Sequence, residues 1–283
     1  MNERSLLELI PRSVLNVDKP PGMTSNDVII GIKEIFNLKR CGHTGTLDKN
    51  VTGVLIVALE NATKAMPVLM GLDKEYEGTM YLHKDIDRKK LEKVISKHFV
   101  GEITQIPPIK SHVSRKPRKR RVYFFDILEK NKKNVKFRTK VQAGTYIRKL
   151  CSDIGEKLGT GAHMKELRRT KVGHFKIEDS HTLEEIKERL EDEKFLRKTL
   201  IPIEKAIPHV KGVYVKDSSV SSIKNGAPVS SSDVIEVQEG IKPGEITGIF
   251  SQKKELIALG ISKTSSKMML NKKRYAIRTD RVI

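Results

Sequence analysis

The spacing of hydrophobic positions changes several times along the chain, and each change predicts an element. Val28, Ile29, Ile32, Ile35 and Phe36 recur at helical spacing, directly after the N-cap candidates Thr24, Ser25, Asn26 and Asp27. Val54–Leu59 is a continuous apolar run of strand length, and Tyr76–Leu82 reads as a second strand. Leu91, Val94, Ile95 and Phe99 form one face of a helix with lysines on its wet side. Arg121–Glu129 and Val135–Gln142 predict a hairpin joined through Lys130–Asn134. Its second arm alternates Val135, Phe137, Thr139 and Val141 against Lys136, Arg138 and Lys140. Ile147, Leu150, Cys151, Ile154 and Leu158 mark a helix that stops at Gly159. Thr182 with Glu185 predicts a capping box opening another.

From about Val210 the texture changes. Short strand-like runs (Val213–Val215, Val234–Val237, Ile246–Phe250, Leu256–Leu259, Tyr275–Ile277) alternate with Gly, Pro and Ser turns. The pattern predicts an α+β protein with two domains, residues 1–209 and a small, mostly β module at 210–283, divided near Pro208 and His209.

Charge then narrows the partners. Lys and Arg number 55 against 35 Asp and Glu, a formal net charge of +20. A folded chain this basic attracts polyanions at long range. No apolar run approaches the ~20 residues a spanning helix needs, so a membrane partner is not expected. Met1–Ile10 lacks the basic-then-apolar layout of a signal peptide. Cys41 and Cys151 offer no disulfide framework. A cytoplasmic nucleic-acid-binding protein is the expectation.

The stretch Cys41–Gly53, with three glycines, His43 and Asp48 just before an apolar strand, can bring backbone close to a ligand and present one carboxylate. By itself it reads more often as a turn whose Asp caps its own backbone. Arg115, Lys116, Arg118, Lys119, Arg120 and Arg121 form a basic run, and Arg168 and Arg169 with Lys165 and Lys171 a second cluster. Phosphate contact outweighs a merely solvated face, because the total charge points the same way. Aromatics make up only 5% and Trp is absent, which disfavours a platform stacking many bases and favours a shape-directed grip on structured RNA. His43, Cys41, Cys151 and His163 lack metal-ligand spacing, so no metal is expected. No phosphate-binding glycine loop occurs, so a nucleotide cofactor is not expected either.

Several segments together resemble the TruB/dyskerin family of pseudouridine synthases, closest to its archaeal dyskerin-like branch. These are Val17–Ser25, Gly42–Asp48 with Val51–Val54, Lys74–Tyr76, Gln142–Arg148 and Gly161–Thr170; the tail from Val213 to Gly244 resembles a PUA RNA-binding module. The likeness covers nearly the whole chain, in the family's order. It implies a mixed, mostly antiparallel catalytic sheet and a small β-barrel-like PUA domain. It also implies an isomerase that detaches uracil from C1′, turns it and rejoins it through C5, with no cofactor. Asp48 would act as nucleophile at the ribose–uracil linkage, Tyr76 would stack on the uracil and assist proton removal, and Arg148 would pair with Asp48. His43 would hold the RNA where the base has left its stack. Tyr146 and Leu167 would line the base pocket, and Lys19 and Pro20 would buttress it. Burial alone raises a carboxyl pKa and an adjacent guanidinium lowers it, so an always-charged Arg148 suits Asp48. Extruding the base costs a few kcal/mol, which stacking on Tyr76 and Tyr146 offsets in part. Lys49 departs from the family's usual proline, which predicts a less rigid turn, and relative to dyskerin-type members the chain is trimmed at both ends. The resemblance implies tRNA, or rRNA with an H/ACA guide RNA, as partners, together with small H/ACA core proteins. A stand-alone enzyme for the T-arm uridine of tRNA is the second reading. A non-catalytic RNA-binding protein is the third, opposed by the intact Asp48, Tyr76 and Arg148.

Overall fold

A computed structural model describes residues 4–107, 114, 116–270 and 275–283. The larger sheet contains β1 (Ser13–Lys19), β2 (Cys41–His43), β3 (Thr52–Leu59), β4 (Lys74–Leu82), β5 (Gly101–Gln105), β6 (Arg118–Asn131), β7 (Asn134–Val141), β8 (Ala162–Val172), β9 (Phe175–Lys176) and β10 (Ile201–Pro202). Its path runs β10-β1-β3-β8-β4-β7-β6-β5, with β2 on β3 and β9 on β8. Neighbours are antiparallel except β3 and β8, which meet in parallel at Thr52–Arg168 and Gly53–Arg169. Two antiparallel halves are thus joined along one short seam. Gly53 sits on that seam at φ 102, and a Cβ there would lie 2.2 Å from the Arg169 carbonyl oxygen. Only glycine fits so close an approach.

Helices follow the predicted stripes. Thr24 caps Ser25–Phe36 through a capping box with Asp27, burying Val28, Ile29 and Ile32. Ile147–Lys157 buries Ile147, Leu150, Cys151 and Ile154 on the far half of the sheet, and Gly159 follows it at φ 69. Thr182 accepts from the Glu185 N–H, but the Glu185 carboxylate goes to His181 at 2.9 Å, so only half of the expected box forms. The hairpin is tighter than expected: β6 and β7 pair up to Asn131–Asn134, leaving Lys132 and Lys133 as the turn, with Lys132 at φ 49. Its first arm also begins earlier, at Arg118, because β5 pairs with Arg118–Val122. The described end of the basic run is therefore strand.

The second sheet holds β11 (Gly212–Val215), β12 (Val229–Ser230), β13 (Val234–Val237), β14 (Ile246–Phe250), β15 (Leu256–Ser262) and β16 (Tyr275–Val282), in the order β12-β16-β15-β14-β11-β13. It has its own core, including Val213, Val215, Ile249 and Ile277. It also contributes Phe250, Leu256, Leu259 and Ile283 to a cluster with Val14, Val54, Ile56 and Ala58 of the first sheet. Around that contact, Arg4 bonds Glu255 at 2.9 Å and Arg12 bonds the Leu256 carbonyl at 2.6 Å, while Glu204 accepts the Leu256 N–H at 3.1 Å.

Candidate active site

Asp48 lies on the loop between β2 and β3, just before the seam. Three buried groups immobilise this loop. Ser25, at the start of its helix, accepts from the Leu47 N–H at 2.8 Å and donates to the Leu47 carbonyl at 3.2 Å. Lys19, fully buried at the end of β1, donates to the carbonyls of Pro20, Met23 and Lys49 at 2.8, 2.6 and 3.1 Å. Arg169 on β8 donates to Val54 at 2.6 Å and Gly45 at 3.0 Å. Burial pushes the Lys19 amine below its ordinary pKa, but its three carbonyl partners suit an ammonium. The Lys49 carbonyl also accepts from Gly22 at 3.0 Å. One side-chain donor, Lys19, and one backbone donor, Gly22, thus hold the Lys49 carbonyl.

Arg148, in the first turn of its helix, donates from Nη2 to Asp48 Oδ2. Both side chains are more than half exposed, 54% for Asp48 and 59% for Arg148. The carboxylate and its guanidinium partner therefore both face solvent. The pair opens on a cleft of about 760 Å³, with Leu167, Arg168, Glu77 and Gly78 among its other lining residues. The backbone at Gly78 is close-packed: a Cβ there would come 2.6 Å from the Glu166 carbonyl oxygen. The arrangement offers the Asp48 carboxylate with a guanidinium fixed on it, two further exposed carboxylates from Glu77 and Glu166, and an apolar contact from Leu167.

Other expected residues sit differently. Tyr76 is 8% exposed, two positions before Gly78 on β4 and opposite Arg169 in register. Tyr146 is the half-buried N-cap residue of the Arg148 helix. Neither ring lines the cleft, and neither do His43, Lys19 or Pro20. His43 is half-buried and its Nδ1 accepts from Gly45 at 3.4 Å; burial and nearby Arg169 push its pKa down, which favours a neutral ring.

The arginine pair divides. Arg168 is 43% exposed, lines the cleft and is held by Asp18 at 2.7 Å and Thr52 at 3.3 Å. Arg169 is 2% exposed and committed to backbone carbonyls, so the expectation that it contacts phosphate is corrected: it is a loop clamp. Adjacent residues on a strand face opposite ways, and here one face is the core. Of the other basic run, Arg115 lies outside the described residues. Lys116 is exposed, Arg118 reaches the Ser114 carbonyl at 3.4 Å, and Lys119 pairs with Glu102 at 2.8 Å. Arg120 donates to the Lys119 carbonyl at 2.7 Å, and Arg121 lies 6.0 Å from the Tyr123 ring centre. The sequence marks Ser25 only as a cap candidate and Asp18 only within the first motif; their contacts to Leu47 and Arg168 carry no distinguishing local signal.

Comparison with known proteins identifies the family. Residues 33–147 match the TruB family pseudouridylate synthase N-terminal domain, 148–208 the tRNA pseudouridylate synthase B C-terminal domain, and 211–283 the PUA domain. A probable tRNA pseudouridine synthase B of Methanopyrus kandleri is 44% identical over 99% of this chain and 85% of its own length. One from Pyrococcus horikoshii is 43% identical over 99% of this chain and 86% of its own. Among solved structures, a chain in a Cbf5-Nop10-Gar1 complex superposes with TM-score 0.91 at 43% identity, covering 99% of this chain and 87% of that one. A chain of an H/ACA RNP bound to a substrate RNA containing 2'-deoxyuridine gives TM-score 0.89 at 41% identity, covering 99% and 87%.

Proposed function

The chain belongs to the TruB family of pseudouridine synthases, isomerases of uridine in RNA, and we propose that it works as the catalytic subunit of an H/ACA guide-RNA particle in the cytoplasm. In this reading residues 1–209 are the catalytic unit, 210–283 anchor RNA, and small H/ACA core proteins are its partners. The observation that carries it is Asp48, held by Arg148 on a clamped loop at the mouth of an open cleft. The carboxylate acts at C1′ of an extruded uridine as the bond to N1 breaks. Uracil then turns, C5 bonds C1′, and the proton on C5 is lost while N1, freed from C1′, takes one up. Tyr76 and Arg148 assist, and Leu167 packs on the base. Arg168, Arg118, Arg120 and Arg121 contact phosphates. The likeness to chains in H/ACA complexes supports guided action.

Similarity to proteins named tRNA pseudouridine synthase B favours a second activity, on the T-arm of tRNA without a guide. The pure protein, incubated with a tRNA transcript and separately with guide RNA, target and core proteins, distinguishes them. Guided conversion should exceed unguided tRNA conversion. Full tRNA conversion by the protein alone, with no gain from guide and partners, overturns the guided reading.

A further inference from the structure

Gln105, the last residue of β5, is 3% exposed, and both ends of its amide bond the backbone of one residue. Nε2 donates to the Tyr146 carbonyl at 3.2 Å, and Oε1 accepts from the Tyr146 N–H at 3.0 Å. The pairing fixes the amide's orientation, since reversing it would set donor against donor and acceptor against acceptor. Tyr146 is the N-cap residue of Ile147–Lys157, whose start has no side-chain cap hydrogen bond of its own. Helix starts leave orphan N–H groups, and a helix without a cap frays there. Arg148 stands two residues on, inside that first turn, and its long side chain amplifies any tilt of the backbone beneath it. Gln105 lines no part of the cleft.

We propose that Gln105 is a positioning residue for Arg148, clamping the Tyr146 peptide so that the guanidinium meets Asp48 in a single orientation. The inference rests on the roles of Asp48 and Arg148 given above. It implies that a buried amide on the edge strand controls catalytic rate without touching RNA. Gln105→Met keeps the volume and removes both bonds, whereas Gln105→Glu keeps an acceptor for the Tyr146 N–H. In single-turnover measurements the Met variant should lose about 10- to 100-fold in rate, a typical effect of misplacing a reacting group by ~1 Å, with RNA affinity nearly unchanged. The Glu variant should fall between it and wild type. In an Arg148→Lys background, Gln105→Met should add little further loss, because the element it positions is already changed. Fully multiplicative losses, or an unchanged rate in the Met variant, overturn the proposal. A second readout needs no activity: the 15N signal of the Arg148 side-chain Nε–H should be sharp and shifted in wild type and averaged in the Met variant. If Met fails to fold, the Glu variant carries both measurements. Turnover retained by Asp48→Asn would sink the reading of Asp48, whereas an Arg148 signal identical in wild type and clamp variants would sink the clamp.

Discussion

The Asp48 loop and the C-terminal sheet are both fixed against β3, by opposite physics. The loop is held by polar groups with no freedom to rearrange: Lys19 and Arg169 donate five hydrogen bonds to backbone carbonyls, and Ser25 makes two to Leu47. The sheet docks through Phe250, Leu256, Leu259 and Ile283 on Val54, Ile56 and Ala58, ringed by Arg4, Arg12, Glu204 and Glu255. Hydrogen bonds to buried carbonyls are directional, and losing a donor leaves an acceptor unsatisfied. Apolar contact is non-directional and accepts volume-conserving exchange. Directional contacts hold the loop that carries Asp48, and adaptable contacts hold the docked sheet.

The largest effect should come from the carboxylate itself. Asp48→Asn should abolish product while RNA affinity stays within a few-fold, as single-turnover assays and filter binding would measure, because the loop's clamps do not involve that side chain. Turnover near wild type would remove the loop's claim to chemistry. The contrast in attachment comes next. Arg169→Met should destabilise by about 2–4 kcal/mol, since a buried carbonyl at Val54 and a half-buried one at Gly45 lose their donor, whereas Leu256→Met in the docked sheet should change stability by less than about 1.5 kcal/mol. Denaturant titration checks both, and equal losses would break the comparison. The smallest effect concerns the basic surface. Replacing Arg118, Arg120 and Arg121 by Gln should flatten the slope of log affinity against log salt by about 2–3, at roughly 0.7–0.9 per phosphate, without changing which uridine is modified. An unchanged slope would make that strand a solvated face.

The docking also alters what a truncation would report. Removing residues 210–283 exposes Val14, Val54, Ile56 and Ala58, which are fully buried in the intact chain. Loss of activity after such a cut would mix lost RNA anchoring with lost core. Point changes on the outer strands of the second sheet are the cleaner probe.

Much of the fold was legible because its signals are local. The stripe Ile147, Leu150, Cys151 and Ile154 and the stop at Gly159 define their helix, and alternation along Val135–Val141 defines β7. The β8 strand was not legible: Lys165, Glu166, Arg168, Arg169 and Lys171 break any period-2 pattern. It is a strand because β4 and β3 offer it hydrogen bonds on both sides. Asp48 and Arg148 were legible only through motifs that match a family, since spacing in sequence says nothing of two groups 100 residues apart.

The sequence by itself determined the helices and strands with clean periodicity, the basic character of the chain and the identity of the motif residues. These depend on side chains a few positions apart and on charge, which needs no fold. Only the tertiary structure decided that Arg168 faces the cleft while Arg169 is buried as a clamp, that Lys19 ties β1 to the Asp48 loop, and that Gln105 holds the start of the Arg148 helix. Each of those outcomes turns on which backbone carbonyl or N–H lies within about 3 Å of a side chain, the reach of a hydrogen bond. That distance is set by strand register and by the seam between β3 and β8, where segments remote in sequence meet.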